Sequence, residues 1–535
     1  MSKPIPIKPI PQELPSEFAD RLGIYYTQQV TSHHKKVNGQ FFTPTPIARL
    51  LASFCEVKKN RLKILDPGCG TAILSCALIE RLVDDPKIIQ NIDLVAYETD
   101  LELIPFTQMV LDYLNVWLTG RGIQFNFSLF SSDFVLENAS VLKENNAPSL
   151  FEDIKKVDKN FDVIISNPPY FKLSKEDKRV LVSQELVSGQ PNIYSFFMGI
   201  AAKLLAENGE LIFITPRSFA SGNYFKAFRT QFFNTVQLEK IHLFVSRKDT
   251  FNRDSVLQET VVLKATKEKI NPNKNVLVSS STGIRDILNP SLKHFKSEEL
   301  IDIHSKEKIL HLPTSDKEDR ILNLVSSWQN VLADFSIRIS TGPVVSFRAA
   351  NFIHTNYENG IVFLAPLYWL HNVNKMNLEW PKQLKEKGQY IRIEPGSKSL
   401  LIPNKNYIFL RRFSTKDDKS RLIAAPYFGN YEKSNFIGVE NKVNYIYRKD
   451  GYLENNELIG LCALLNSELF DTYFQIFNGN VNVSATEMRE MKFPPLQIIK
   501  EIGNRLISMN DFSMEHVNYI VSELFEIEVL MNIYE

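Results

Sequence analysis

Phe161-Asp162-Val163-Ile164-Ile165-Ser166-Asn167-Pro168-Pro169-Tyr170 reads as a buried strand that stops abruptly. The short apolar run predicts a strand over residues 161–166. The two prolines fix φ and carry no N–H, so the exit loop is stiff and points its carbonyl groups outward. The side-chain oxygen of Asn167 and the carbonyl of Pro168 then form two acceptors aimed at one point. An exocyclic amine placed there donates both hydrogens, and its lone pair is freed to attack a carbon electrophile. No base of high pKa is needed at the start. Tyr170 offers a flat face on which the ring carrying the amine can stack. A Pro-Pro turn alone is a common loop feature. At the C-terminal end of a strand, where open α/β sheets place their ligands, it points to a site.

Outward from this corner, short apolar runs alternate with helix-length segments. Strands are expected at residues 62–65, 92–97, 125–130, 161–166, 210–215, 238–244 and 259–264. The alternation predicts a mainly parallel sheet covered on both faces. The last two runs follow each other closely, which predicts an antiparallel hairpin at one sheet edge. The first strand enters Asp66-Pro67-Gly68-Cys69-Gly70-Thr71, whose glycines permit positive φ and close backbone approach to a ligand. Residue 73, where a dinucleotide fingerprint has its third glycine, is Ile, which weakens a nicotinamide reading. An acidic residue opening the loop suits a cationic or amine-bearing ligand; an isolated Gly-x-Gly is equally often a plain structural turn. Glu98 ends the second strand, placed to hold both hydroxyls of a ribose, with Asp100 available as the helix cap. Asp133, after the third strand, could accept from an exocyclic amine or simply close a turn.

Composition bounds the rest. Of 535 residues, 44% are hydrophobic and 23% charged, which provides a sizeable core and excludes global disorder. With 62 Lys and Arg against 61 Asp and Glu, a uniformly basic surface is excluded. The charge is nonetheless uneven. Residues 334–450 hold 18 basic and 10 acidic side chains, net +8, with 18 aromatics; residues 451–535 hold 4 and 13, net −9. The four cysteines (Cys55, Cys69, Cys76, Cys462) lack CxxC spacing, so neither a disulfide scaffold nor a structural zinc site is expected, and no metal is implied. The proline-interrupted N-terminus has no signal-peptide character and no apolar stretch is long enough to cross a membrane. A cytoplasmic, membrane-free protein is expected. Residues 1–20 read as a loose arm and 21–55 as helices around a loop, with Thr45 capping the run from Ile47 and Pro46 at its first position.

Asp66-Pro-Gly-Cys-Gly-Thr together with Asn167-Pro-Pro-Tyr resembles the S-adenosylmethionine-dependent N6-adenine DNA methyltransferases. The order, with Phe42-Thr43-Pro44 first, resembles the gamma group of restriction–modification methylases. Val256-Leu257-Gln258-Glu259 and Gly342-Pro343-Val344-Val345-Ser346-Phe347-Arg348 resemble its BsuBI/PstI-like branch. The resemblance implies a Rossmann-like seven-stranded class I methyltransferase sheet in an α/β chain, with a C-terminal α+β target-recognition domain. It divides the chain into an N-terminal segment (1–60), a catalytic domain (61–265), a connection (266–333) and the recognition domain with a helical tail (334–535). By position, Phe42, Thr43, Pro44, Asp66, Gly68 and Gly70 would line the methionine end of S-adenosylmethionine. Glu98 would hold its ribose, and Asp133 with Phe134 its adenine. Asn167, Pro168, Pro169 and Tyr170 would form the catalytic corner for the target adenine, with Phe251 packing the flipped base from the other side.

Double-stranded DNA is the expected substrate and a separately encoded cognate restriction endonuclease the expected partner. A base inside a duplex must be rotated out to reach such a corner, and base edges must be read elsewhere. The basic aromatic block is the expected reader, with Arg348, Arg411, Arg412, Lys405 and Lys416 as contacts; any single one of them is more often a solvated surface charge than a contact. Phe470, Tyr473 and Phe474 read as core. Three alternatives fit the sequence less well. A release-factor glutamine methyltransferase uses the same corner, but the Phe-Thr-Pro segment and the long C-terminal half argue against it. A non-catalytic DNA-binding protein sits poorly with the intact Asn-Pro-Pro-Tyr loop. A fused endonuclease has no room before residue 35.

Overall fold

The computed structural model describes residues 7–84, 89–143, 160–244, 260–301, 303, 305–306, 308–313, 315–355, 363–382, 387–413, 420–429, 434–477 and 483–527. It comprises two compact units, Met1–Thr314 and Ser315–Glu535.

In the first unit, α1 (Pro15–Gln29), α2 (Ser32–Asn38) and α3 (Thr45–Ser53) precede an alternating series. That series is β1 (Arg61–Pro67), α4 (Ile73–Leu82), β2 (Asn91–Tyr97), α5 (Ile104–Thr119), β3 (Gln124–Phe130), α6 (Phe134–Asn138) and β4 (Phe161–Ser166). It continues with α7 (Lys178–Val182), α8 (Ile193–Leu204), β5 (Leu205–Pro216), α9 (Lys226–Thr235), β6 (Gln237–Phe244) and β7 (Thr260–Thr266), then β8 (Asn275–Ser281) and β9 (Ser291–Lys296). The sheet order is β3-β2-β1-β4-β5-β7-β6-β8-β9. β1 to β5 run parallel, and β7 is antiparallel to both β5 and β6. The chain reverses direction of travel between β1 and β4, so their C-terminal ends open the crevice where ligands bind in such sheets.

Strand periodicity divides the core. Val163 and Ile165 face one layer with Ile212 and Ile214, against α1, α3, α4 and α5. Ile164 faces the other with Leu211 and Phe213, against α6 to α9. Successive side chains of a strand point to opposite faces, and both faces being covered explains why β4 and β5 read as continuous apolar runs.

Four sequence expectations are corrected. Residues 15–20 are not part of a loose arm but open α1: Pro15 sits at its start, where its missing N–H costs nothing, and Phe18 and Ala19 are buried with Leu22 and Tyr26. Ser16 donates from both its main-chain nitrogen and its hydroxyl to Glu80, each at 2.6 Å. Thr45 is not the cap of α3. It is the first helical residue, Pro44 precedes it as N-cap, and the Thr45 hydroxyl donates to Asp20 at 2.9 Å. β6 and β7 pair antiparallel but not at an edge, because β8 continues the sheet parallel to β6. Residues 266–300, expected as connection, supply that strand and β9, whose outward alternation is that of an exposed edge.

The second unit is α+β, as expected. An antiparallel sheet joins Ile337–Thr341, Val443–Arg448, Tyr407–Arg411 and Ala424–Tyr427. A five-stranded sheet contains Leu364–Tyr368 and Phe436–Val439. Helices Asn455–Asn466 and Leu496–Met509 meet through Gly460 and Gly503, where any side chain would collide with the opposing backbone. Phe470, Tyr473 and Phe474 are buried core.

Candidate active site

β1 delivers Asp66 into a turn in which Gly68 (φ 102°) and Gly70 (φ 54°) are left-handed. The main-chain nitrogens of Gly68 and Cys69 donate to the Tyr97 carbonyl at 3.0 and 2.8 Å, folding the turn onto the end of β2. Glu98, next along, accepts from Gly70 N at 3.1 Å and Asp100 N at 2.8 Å. Asp66 is fully buried and accepts from the Ser75 hydroxyl at 2.6 Å. Burial pushes both carboxylic acids up to about 7, against these hydrogen bonds.

The other wall is the proline corner. Ser166 Oγ donates to the Pro67 carbonyl at 3.1 Å, tying the end of β4 to the end of β1. Asn167 follows. Its Nδ2 donates to the Phe41 carbonyl and to Thr43 Oγ1, both at 2.9 Å. A carbonyl can only accept, so the amide nitrogen must face Phe41 and Oδ1 must face the opposite way. There the Tyr170 hydroxyl donates to Oδ1 at 2.5 Å and lies 2.8 Å from the Ile214 carbonyl. The Tyr170 ring stacks on Phe41, centroids 5.4 Å apart and planes 24° apart.

Between these walls lies an open cleft that, with the solvent space it adjoins, encloses about 580 Å³. It is lined by Gly68, Gly70, Glu98, Phe134, Asn167, Pro169 and Phe42, among others. Sequence-expected residues converge here from five separate segments. Thr43, Pro44, Asp66 and Asp133 do not line the cavity. Thr43 is turned to Asn167. Asp133 caps α6, its Oδ1 accepting from Val135 N and Leu136 N, and its Oδ2 lies 3.6 Å from Arg179. Pro168 is buried and, like Tyr170, does not line the cavity; Pro169 does. Phe251 lies outside the described residues.

Gln40 and Asp100 carry roles not read from the sequence. Asp100 Oδ2 accepts from the Tyr26 hydroxyl (2.5 Å), His34 Nε2 (2.8 Å) and Gln40 Nε2 (2.6 Å), which pins α1, α2 and the Phe-Thr-Pro segment over the end of β2. Burial alone would raise the Asp100 carboxyl; these hydrogen bonds outweigh it and hold the group below the usual range. Gln40 Oε1 and Asp66 Oδ1 are buried without a hydrogen-bond partner. Such orphaned acceptors beside a concave site fit a ligand bearing hydroxyl, amine or cationic groups. The left-handed glycines open the turn to close approach, and the aromatic wall of Phe134, Tyr97 and Phe42 fits a purine. S-adenosylmethionine has this donor set.

In the second unit, Arg411 is built into the fold, Nε donating to the Val373 carbonyl and Nη2 to Asn374. Lys405 donates to the Arg448 and Gly451 carbonyls. Lys416 is outside the described residues. Arg348 differs, and Arg412 is held by one main-chain bond, its Nη1 donating to the Asn441 carbonyl at 3.2 Å. The segment from Gly342 is bonded to the 439–443 turn through Gly342 N, Val344 N and Asn441 N, and Arg412 N reaches the Lys442 carbonyl. Phe347, 76% exposed, carries the Arg348 guanidinium 5.4 Å from its ring; Phe413 carries Arg412 at 5.6 Å. Two aromatic-guanidinium pairs thus flank one turn. Among the described residues, no three His, Cys, Asp or Glu side chains are grouped to hold a metal, and no helix is long and apolar enough to cross a membrane.

The Eco57I restriction-modification methylase family model matches residues 111–251. The Type II methyltransferase M.BsuBI of Bacillus subtilis is 31% identical over 506 residues, 93% of this chain and 95% of its own length. M.PstI of Providencia stuartii is 29% identical over 490 residues, 91% of this chain and 93% of its own. M.AccI of Acinetobacter calcoaceticus is 24% identical over 283 residues, 51% of this chain and 46% of its own.

Proposed function

Because the chain belongs to the family of the Type II methyltransferases M.BsuBI and M.PstI, we propose that it is a site-specific adenine-N6 DNA methyltransferase, the modification half of a restriction–modification system. The observation that carries this reading is the shared cavity: the glycine turn with Glu98, and the Asn167 corner, open onto one space.

S-adenosylmethionine, held by Glu98, Gly68, Gly70, Phe42, Gln40 and Phe134, supplies an electrophilic methyl group on a positively charged sulfur. Asp66 and Glu98 balance positive charge when ionised. The remaining work belongs to the corner. Asn167 Oδ1 and the Pro168 carbonyl accept the two hydrogens of an adenine amine, which turns its lone pair toward the cavity. Tyr170 stacks on the base, and its hydroxyl hydrogen turns to the Ile214 carbonyl to release Oδ1. Rotating the base from the duplex costs a few kcal/mol, recovered through this stacking and contacts elsewhere on DNA. The second unit supplies those contacts, with Arg348 and Arg412 on phosphates or guanines and Phe347 against bases. Its basic stretch provides the sequence-independent attraction. A separately encoded endonuclease of the same specificity is the expected partner, and the cytoplasm, where the chromosome lies, the expected location.

Incubating the protein with tritiated cofactor and plasmid DNA, then sequencing methylated adenines, tests this directly. Label at one short recurrent adenine-containing sequence is expected. Absence of label in any DNA would overturn the reading.

A further inference from the structure

Thr43 was expected to touch the cofactor, yet it is buried and faces away from the cavity. We propose that Thr43 is a positioning residue for Asn167: its hydroxyl oxygen and the Phe41 carbonyl form a two-point socket for the Asn167 amide nitrogen. The inference rests on the methyltransferase reading above.

The chemistry requires one orientation of the amide. Only Oδ1 can accept from an adenine amine; the NH2 end would meet the amine donor to donor. An asparagine side chain turns about its terminal torsion with broad freedom, so its two ends exchange unless neighbours distinguish them. Phe41 distinguishes them strictly, because its carbonyl accepts and cannot donate. Thr43 takes the second N–H, which leaves that nitrogen fully satisfied and Oδ1 aimed at Tyr170. Both socket atoms come from one loop, 41–43, which Asp100 anchors through Gln40. The Phe-Thr-Pro segment therefore serves the acceptor of the target base through Thr43 and the cofactor cavity through Phe42.

The test compares Thr43→Val, which keeps shape and loses the hydroxyl, with Thr43→Ser, which keeps the hydroxyl, in the full-length protein. The substrate is a duplex carrying the methylation site mapped for the wild type. Single-turnover transfer, cofactor affinity by calorimetry and DNA affinity are measured, and thermal midpoints verify folding. Leaving a buried N–H unpaired in the reacting complex corresponds to about a tenfold or greater loss of rate. Thr43→Val is expected to lose at least that factor while its cofactor and DNA affinities stay within about twofold, and Thr43→Ser to return to within about threefold of wild type. Should Thr43→Val not fold, Thr43→Ser against Thr43→Ala carries the same comparison. A cofactor affinity that falls in step with the rate would make Thr43 a cofactor contact and overturn the inference. So would an unchanged rate in Thr43→Val, or equal losses in Val and Ser. Wild-type protein that methylates no DNA marks failure of the functional reading itself, whereas an active wild type matched by Thr43→Val marks failure of the inference alone.

Discussion

The Tyr170 hydroxyl donates to Asn167 Oδ1 at 2.5 Å. On the proposed reading, the acceptor for the target amine is therefore covered by a neighbouring side chain until the substrate arrives. The Ile214 carbonyl, 2.8 Å from the same hydroxyl, offers the hydrogen an alternative. Tyr170→Phe keeps the ring and removes the competitor, so single-turnover methylation is expected within about fivefold of wild type. Tyr170→Ala loses base stacking and is expected to fall by about 10- to 100-fold. Equal losses in both variants would place the function in the hydroxyl.

Asp66 and Glu98 give a pH signature. Burial raises them to about 7 from ordinary values of 3.8 and 4.5. With raised folded values, the folded protein holds more protons than the unfolded chain between about pH 4 and 7. Their contribution to stability is full below about pH 4 and is lost as pH rises through 7. A cationic ligand that prefers the ionised carboxylates reverses this. The thermal shift produced by S-adenosylmethionine is expected to grow between pH 6 and 7.5, and Glu98→Gln to flatten part of the rise. A shift that shrinks across that interval would contradict the assignment.

Asp100 holds three donors from the N-terminal segment. Asp100→Ala leaves them without this acceptor, at about 1–3 kcal/mol per buried group. Cofactor affinity measured by calorimetry is expected to fall about tenfold or more, although Asp100 itself does not line the cavity.

Arg348 and Arg412 are expected to act on DNA, and Arg411 on the fold. Replacing either of the first two by Ala should lower DNA affinity and reduce the slope of log affinity against log salt by about 0.9 if one phosphate contact is lost. Arg411→Ala should lower the thermal midpoint and leave that slope unchanged. Filter binding across a salt series separates the two classes.

Much of the first unit was legible in the sequence because its strands are covered on both faces. Burial on both sides writes β4 and β5 as unbroken apolar runs, and the Asn167 corner stands out by ending one of them. β8 and β9 were missed because Asn275–Ser281 and Ser291–Lys296 face solvent in part and carry serine and lysine. α1 was hidden by its leading proline, which reads as a loop signal and serves here as a helix start. The partnership of Gln40 with Asp100 spans 60 residues of chain, and nothing local records it. Asp133 shows the converse: a carboxylate after a strand suits both an adenine contact and a helix cap, and its Oδ1 caps α6.

The most direct measurement is single-turnover methylation by Asn167→Ala alongside its DNA affinity. Removing a polar contact that strengthens as the reaction proceeds costs about 100-fold or more. Transfer is expected to fall at least that far while DNA is bound as tightly as by wild type. Undiminished transfer, or a loss of binding that matches the loss of rate, would contradict the role given to this corner.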